Sequence, residues 1–206
     1  MIGKRKAGSV LCFLGIASLL FAACWNPFAP NTTTVVEPPV VHKPLTSPEN
    51  VCYELDYAMN QKDIERFEDL LDDAYWFFAP SDIDTLAYAW DKTEDVTLTG
   101  RAFEYFDKIE YELMETGAHW IEYGINVAPE GTMDPSDEHP DENWEVFRRP
   151  VTMYLLDETE TDGWFVQSDF EFKMRKQKNP NTGEPILDPE TKAQLWKIVR
   201  WTEYAD

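Results

Sequence analysis

Few residues in this 206-residue chain have the type and spacing that chemistry needs. His119 is one. On an alternating stretch it shares a face with Ile121, Tyr123 and Ile125, so it could bring an imidazole into an apolar interior, where histidine carries protons near neutral pH. Asp169 and Glu171 form a second group. Proton abstraction beside a carbonyl needs a carboxylate base inside a pocket and acidic hydroxyls to hold the oxyanion. Alternation argues against that use here, because Trp164, Val166, Phe170 and Phe172 take the other face and leave Asp169 and Glu171 toward solvent. For His119 the plainer reading is a strand-end histidine bonded to a backbone carbonyl.

Metal chemistry is poorly served. Asp134, Asp137, Glu138, His139, Asp141, Glu142 and Asn143 make a dense acidic loop whose alternate positions loosely echo a calcium loop. Glu142 replaces the required glycine, Pro140 intervenes, and no helix pair flanks it, so a solvated loop is the better reading. No Cys/His pair has zinc spacing, no glycine loop suits phosphate, and no Ser–His–Asp set can be placed, so the expectation is no cofactor and no metal. Cys52 stands on an apolar helical stripe and reads as a small buried residue rather than a nucleophile.

The elements that must position these residues follow from periodicity. Ser47 and Pro48 open a helix whose buried face is Val51, Leu55, Ala58 and Met59; Asp56 falls off that stripe and reads as solvated. Asp63 caps a short second helix carrying Ile64, Phe67, Leu70 and Leu71. Tyr75 to Phe78 is a short aromatic strand, and a third helix runs from Lys92 to about Phe106, with Asp91 and Glu94 at capping-box spacing. From Ile109 onward the period changes to two. Ile109–Leu113, Ile121–Val127, Phe147–Leu156, Trp164–Met174 and Leu195–Tyr204 alternate, with Pro150 marking a bulge or an edge and Asp162-Gly163 a turn. Helices grouped before an antiparallel meander indicate α+β, the helices covering one face of the sheet.

The amino terminus answers where, rather than what. Lys4, Arg5 and Lys6 precede an apolar run from Val10 to Phe21. That is too short to span a bilayer, which takes about 20 residues, and has signal-peptide proportions. Ala22-Ala23-Cys24 resembles a bacterial lipobox, departing from it at Phe21, where leucine is usual. The expected organisation is a signal at 1–23, a lipidated Cys24 and Pro/Thr-rich tether at 24–46, and a folded domain at 47–206. Removing the signal leaves 15 basic against 39 acidic residues, a net charge near −24. Such a chain repels nucleic acid and anionic headgroups, so membrane attachment must come from acyl chains on Cys24. The implied location is the bacterial envelope, lipid-anchored and extracytoplasmic.

Ser47 to Val51, Tyr57, Asn60, Asp63 to Leu71, Trp90 and Leu195 to Trp201, taken in this order, resemble the nuclear transport factor 2-like superfamily, which includes ketosteroid isomerase-type and polyketide-cyclase-type enzymes and many modules without catalysis. The resemblance covers roughly 47–204. It implies helices packed on a strongly curved antiparallel sheet, a conical pocket, and in many members a homodimer through the sheet. With 8 Trp, 9 Tyr and 12 Phe, more than a small core needs, the pocket would be aromatic. Tyr111, His119, Tyr123, Trp164, Phe170 and Phe172 are the candidates for its lining; the plainer reading is that the aromatics fill the inside of a curved sheet. The function expected is a lipid-anchored, non-catalytic binding or interaction module of unknown ligand, an apolar small molecule being one candidate partner; the alternative is a small-molecule isomerase or dehydratase-type enzyme using the cone pocket.

The signal reading makes a direct prediction: Cys24→Ser releases the protein from the membrane fraction. Unchanged partitioning of that variant would end the lipid-anchor reading.

Overall fold

In the computed structural model the described residues are 40–79, 88–125, 139–160 and 162–204. The signal, Cys24, most of the tether, Val127, and Asp134, Asp137 and Glu138 of the acidic loop lie outside them. A compact unit starts at His42. Residues 42–46, expected as tether, belong to that unit: Leu45 is buried and its carbonyl accepts from Trp196 N at 2.7 Å. Glu54, also buried, holds this segment by accepting from the Lys43 backbone and from Arg66 Nε, 2.8 Å away.

The helix signals work as expected. Ser47 accepts from Asn50 N to start α1 (Pro48–Gln61), and Lys62, at φ 54°, closes it in the left-handed region with N–H bonds to Ala58 and Met59. Asp63 accepts from Arg66 N to start α2 (Ile64–Leu70). Asp91 accepts from Glu94 N to start α3 (Lys92–Tyr105). Among the described residues no helix is long and apolar enough to cross a membrane.

The strands are β1 (Leu71–Ala79), β2 (Tyr88–Asp91), β3 (Lys108–Leu113), β4 (Ala118–Glu122), β5 (Trp144–Leu156), β6 (Gly163–Lys176) and β7 (Trp196–Tyr204). They form one seven-stranded sheet in the order β2-β1-β7-β6-β5-β3, with β4 also on β5. The architecture is α+β, three helices on a curved, mixed sheet. The expected all-antiparallel sheet is corrected at one pair: β1 runs parallel to β7, joining residues more than 120 positions apart, which local periodicity cannot show.

Pro150 does not mark an edge. β5 pairs with β6 through it without a register shift, and on its other side the partner changes from β4, against Trp144–Arg148, to β3, against Val151–Leu156. Proline sits where no partner asks for its missing N–H. The register shifts lie elsewhere, at Lys173/Met174 in the β6–β7 ladder and between Leu71 and Trp76 in the β1–β7 ladder. Bulges of this kind bend a strand and increase its twist.

One ion cluster ties β1 to β6 across the intervening β7. Arg175 on β6 donates to both oxygens of Asp72 on β1 at 2.7 and 2.9 Å, and Gln177 Nε2 adds a bond of 2.6 Å. Burial pushes the Asp72 carboxyl up, but these bonds outweigh it and hold it below the usual aspartate range. Its stabilising contribution is therefore complete above the ordinary aspartate value of 3.8 and is lost as pH falls through the lower folded value. Asp72→Asn should cost about 2 kcal/mol at neutral pH, with the deficit closing as pH falls below the ordinary aspartate value of 3.8. Urea unfolding across pH checks this; a deficit that persists undiminished in acid would refute it.

Candidate functional site

The three helices do not fill the concave face. Between α3 and the sheet is a cavity of about 360 Å³. Phe77, Phe170 and Trp201 form its floor, Leu98, Ala102 and Phe103 its helical side, and Ile109, Tyr111, Met153 and Leu155 its far wall. The aromatic packing is tight: Phe77 stacks on Trp90 with centroids 4.5 Å apart, and Trp201 meets Phe77 at 5.7 Å and Phe170 at 5.4 Å.

Asp95 is the buried polar group of this cavity, and the sequence reading missed it. It stands in the first turn of α3, where the helix dipole favours negative charge. Tyr75 Oη donates to its Oδ2 at 2.6 Å and Trp90 Nε1 to its Oδ1 at 3.0 Å. Burial pushes the carboxyl above its ordinary value, against the pull of those two bonds. Burial, and next the adjacent Asp95, push the Tyr75 phenol well up. The signal that could have found Asp95 is its spacing from Thr99 and Phe103, four and eight positions on, along one helical stripe. Glu203, at the end of β7, is the second acidic wall residue, and the described wall contains no lysine, arginine or histidine.

Tyr111 is set in the wall by α1. The Asn60 side chain brackets its backbone, donating to Tyr111 O at 2.7 Å and accepting from Tyr111 N at 2.9 Å. Asp56 accepts from Leu113 N one step along, so it is half-buried and engaged rather than solvated as expected. Burial pushes the Tyr111 phenol well above its usual range. Tyr111 Oη and Trp201 Nε1 are both buried without a hydrogen-bond partner among the described residues.

Of the six expected lining residues, the structure places Tyr111 and Phe170 on the cavity wall. Phe172 lies behind it, fully buried against Trp201 at 5.0 Å. His119 is outside. β4 pairs with the Trp144–Arg148 half of β5, and the imidazole there is exposed, stacked on Phe147 at 4.3 Å with Nε2 2.6 Å from Glu145. Tyr123, past the end of β4, and Trp164, at the start of β6, are both 70% exposed. Alternation identifies the face of a strand but not how far along it the helices reach.

Two further expectations change. Glu171, read as solvent-facing, is buried on the outer face, where burial raises its carboxyl and Lys173 and Arg148 offset this. His139, read as part of a solvated loop, is buried with its ring stacked 3.8 Å from Trp144. Cys52 is buried as expected, its thiol pushed up to about 12, chiefly by burial. Among the described residues no group of three or more His, Cys, Asp or Glu is placed to hold a metal ion.

No protein-family model and no curated protein matches this sequence. Solved structures similar to it include a nuclear transport factor 2-like protein of Rhodospirillum rubrum, at 15% identity over 78% of this chain and 98% of that one, TM-score 0.49. A nuclear transport factor 2-like superfamily protein of Salmonella enterica shares 12% identity over 75% and 85%, TM-score 0.46. A ketosteroid isomerase-like protein of Erwinia carotovora atroseptica shares 16% over 79% and 97%, TM-score 0.43.

The orphaned phenol makes a stability prediction. An unpartnered buried hydroxyl costs free energy that phenylalanine of the same shape does not. Tyr111→Phe should leave stability unchanged or raise it by about 1 kcal/mol in denaturant unfolding. A loss of that size would show that the hydroxyl has a partner in solution.

Proposed function

We propose that the chain is a lipid-anchored, extracytoplasmic module that holds an apolar small molecule in the cavity beneath α3. The observation that carries this reading is the cavity itself: about 360 Å³, walled mainly by aromatic and aliphatic side chains, with a few fixed polar groups. That is the volume and chemistry of a small-ligand site. The outer face of β5 and β6, where Tyr154 and Phe165 are exposed, is where a second copy would sit in the homodimer that belongs to this proposal.

Asp95 supports a second reading, an isomerase or dehydratase-type enzyme. A carboxylate with a raised pKa in an apolar cavity is what proton transfer at a carbon beside a carbonyl needs. The binding reading is preferred because no imidazole joins Asp95, His119 being exposed on β4, and because fixed donors already occupy one position on each Asp95 oxygen.

The test of the binding reading is titration with the neutral apolar dye N-phenyl-1-naphthylamine, whose emission rises in apolar surroundings. Saturable uptake of one dye per chain is expected, weakened about tenfold or more in Ala102→Trp, where the indole fills the cavity. Absence of saturable uptake, or equal uptake by the variant, would remove this reading. Isomerisation of a β,γ-unsaturated ketone by the wild type, abolished in Asp95→Asn, would put the enzyme ahead.

A further inference from the structure

The geometry points to an organic cation, an amine or quaternary ammonium on an apolar body, as the ligand of this cavity. The inference rests on the binding reading above and narrows it to one charge class.

The first observation is the charge of the wall. Its charged residues are Asp95 and Glu203, both acidic, and no basic side chain lies among the described lining residues. Among the described residues Asp95 is bonded only by neutral donors, Tyr75 Oη and Trp90 Nε1. A buried carboxylate is ordinarily paired with a cation or driven neutral by the loss of solvent. Asp72 and Glu54, also buried, are ion-paired with Arg175 and Arg66, and buried Glu171 has the charges of Lys173 and Arg148 acting on it. Asp95, the one buried carboxylate lining this cavity, has no such cation among the described residues. Burial accordingly raises its pKa, and a bound cation would reverse that shift by favouring the charged form.

The second observation is the kind of surface around it. Trp90, Phe77, Trp201 and Phe170 put aromatic rings within stacking or edge contact of one another around the same space. Ring faces carry negative potential and attract cations, most strongly where water is excluded. An anionic ligand would meet two carboxylates and the ring faces. A neutral apolar ligand would fill the volume but leave Asp95 without a counter-charge.

The test compares two probes of nearly equal shape, benzyltrimethylammonium and its carbon isostere neopentylbenzene, each titrated calorimetrically into the full chain at neutral pH. Wild type should bind the cation about tenfold more tightly than the isostere. Asp95→Asn should bring the two affinities together, with binding of the isostere showing that the variant keeps its cavity. Equal affinities in the wild type, or preference for the isostere, would overturn the charge assignment and leave the binding reading standing. Binding of neither probe would overturn both. Preference for the cation that survives undiminished in Asp95→Asn, in Glu203→Gln and in the double variant would overturn the assignment of that preference to the wall carboxylates.

Discussion

Asp95 is held from two strands at once. Tyr75 of β1 and Trp90 of β2 donate to its two oxygens, and Asp95 itself belongs to the first turn of α3. This three-way contact fixes where the helix enters, because β2 runs directly into α3 and the bonds close that corner. The helix then has to cross the concave face from a fixed starting point. Its 14 residues span about 21 Å. Along that path Leu98, Ala102 and Phe103 face the floor, yet Ala102 contributes only a methyl group, so the space above Trp201 and Phe170 stays open. The polar bonds anchor one end of α3, and the small residue midway leaves the space beside it unfilled.

Much of this was legible in the sequence. Every helix start, at Ser47, Asp63 and Asp91, rests on a side chain accepting from a backbone N–H three residues on, and such caps are local. The buried stripe of α1 and the inner face of β6 follow from periods of 3.6 and 2. What could not be read is everything that depends on strands meeting. The parallel β1–β7 pair, the change of partner at Pro150, and the reach of the helices over each strand are decided by contacts between distant segments. Hence Trp164 and His119 were placed on the right face of the right strands and still lie outside the cavity. Asp95 shows the reverse error: a charged residue on a helical stripe was passed over because its two partners, Tyr75 and Trp90, come from other elements.

The outer face of the sheet illustrates the same limit in another way. Alternation assigns charged residues there to solvent, but Glu171 and Arg200 are buried. Arg200 donates to the Ala74 and Val199 carbonyls and lies over the Trp144 ring, against which His139 also stacks. Lys173 reaches Glu122, 51 positions away, at 3.1 Å. A charged side chain can be buried when its partners are supplied across the ladder, and no hydropathy pattern records those partners.

The charge of the whole chain and the charge of the cavity act in the same direction but at different steps. A net charge of −21 sets up a field that raises the local concentration of cations and repels anions, chiefly changing the rate of encounter. That field is screened over about 8 Å at physiological ionic strength. Inside the cavity screening is weaker, since the wall is mainly apolar, so a charge on Asp95 would act on affinity rather than on approach. Added salt should therefore slow the arrival of a cationic ligand far more than it speeds its departure. An anionic ligand would be opposed at both steps, and a neutral one would be indifferent to both. If the cavity binds as proposed, its charge selectivity must favour cations, and the salt dependence of binding would separate the contribution of the surface from that of Asp95.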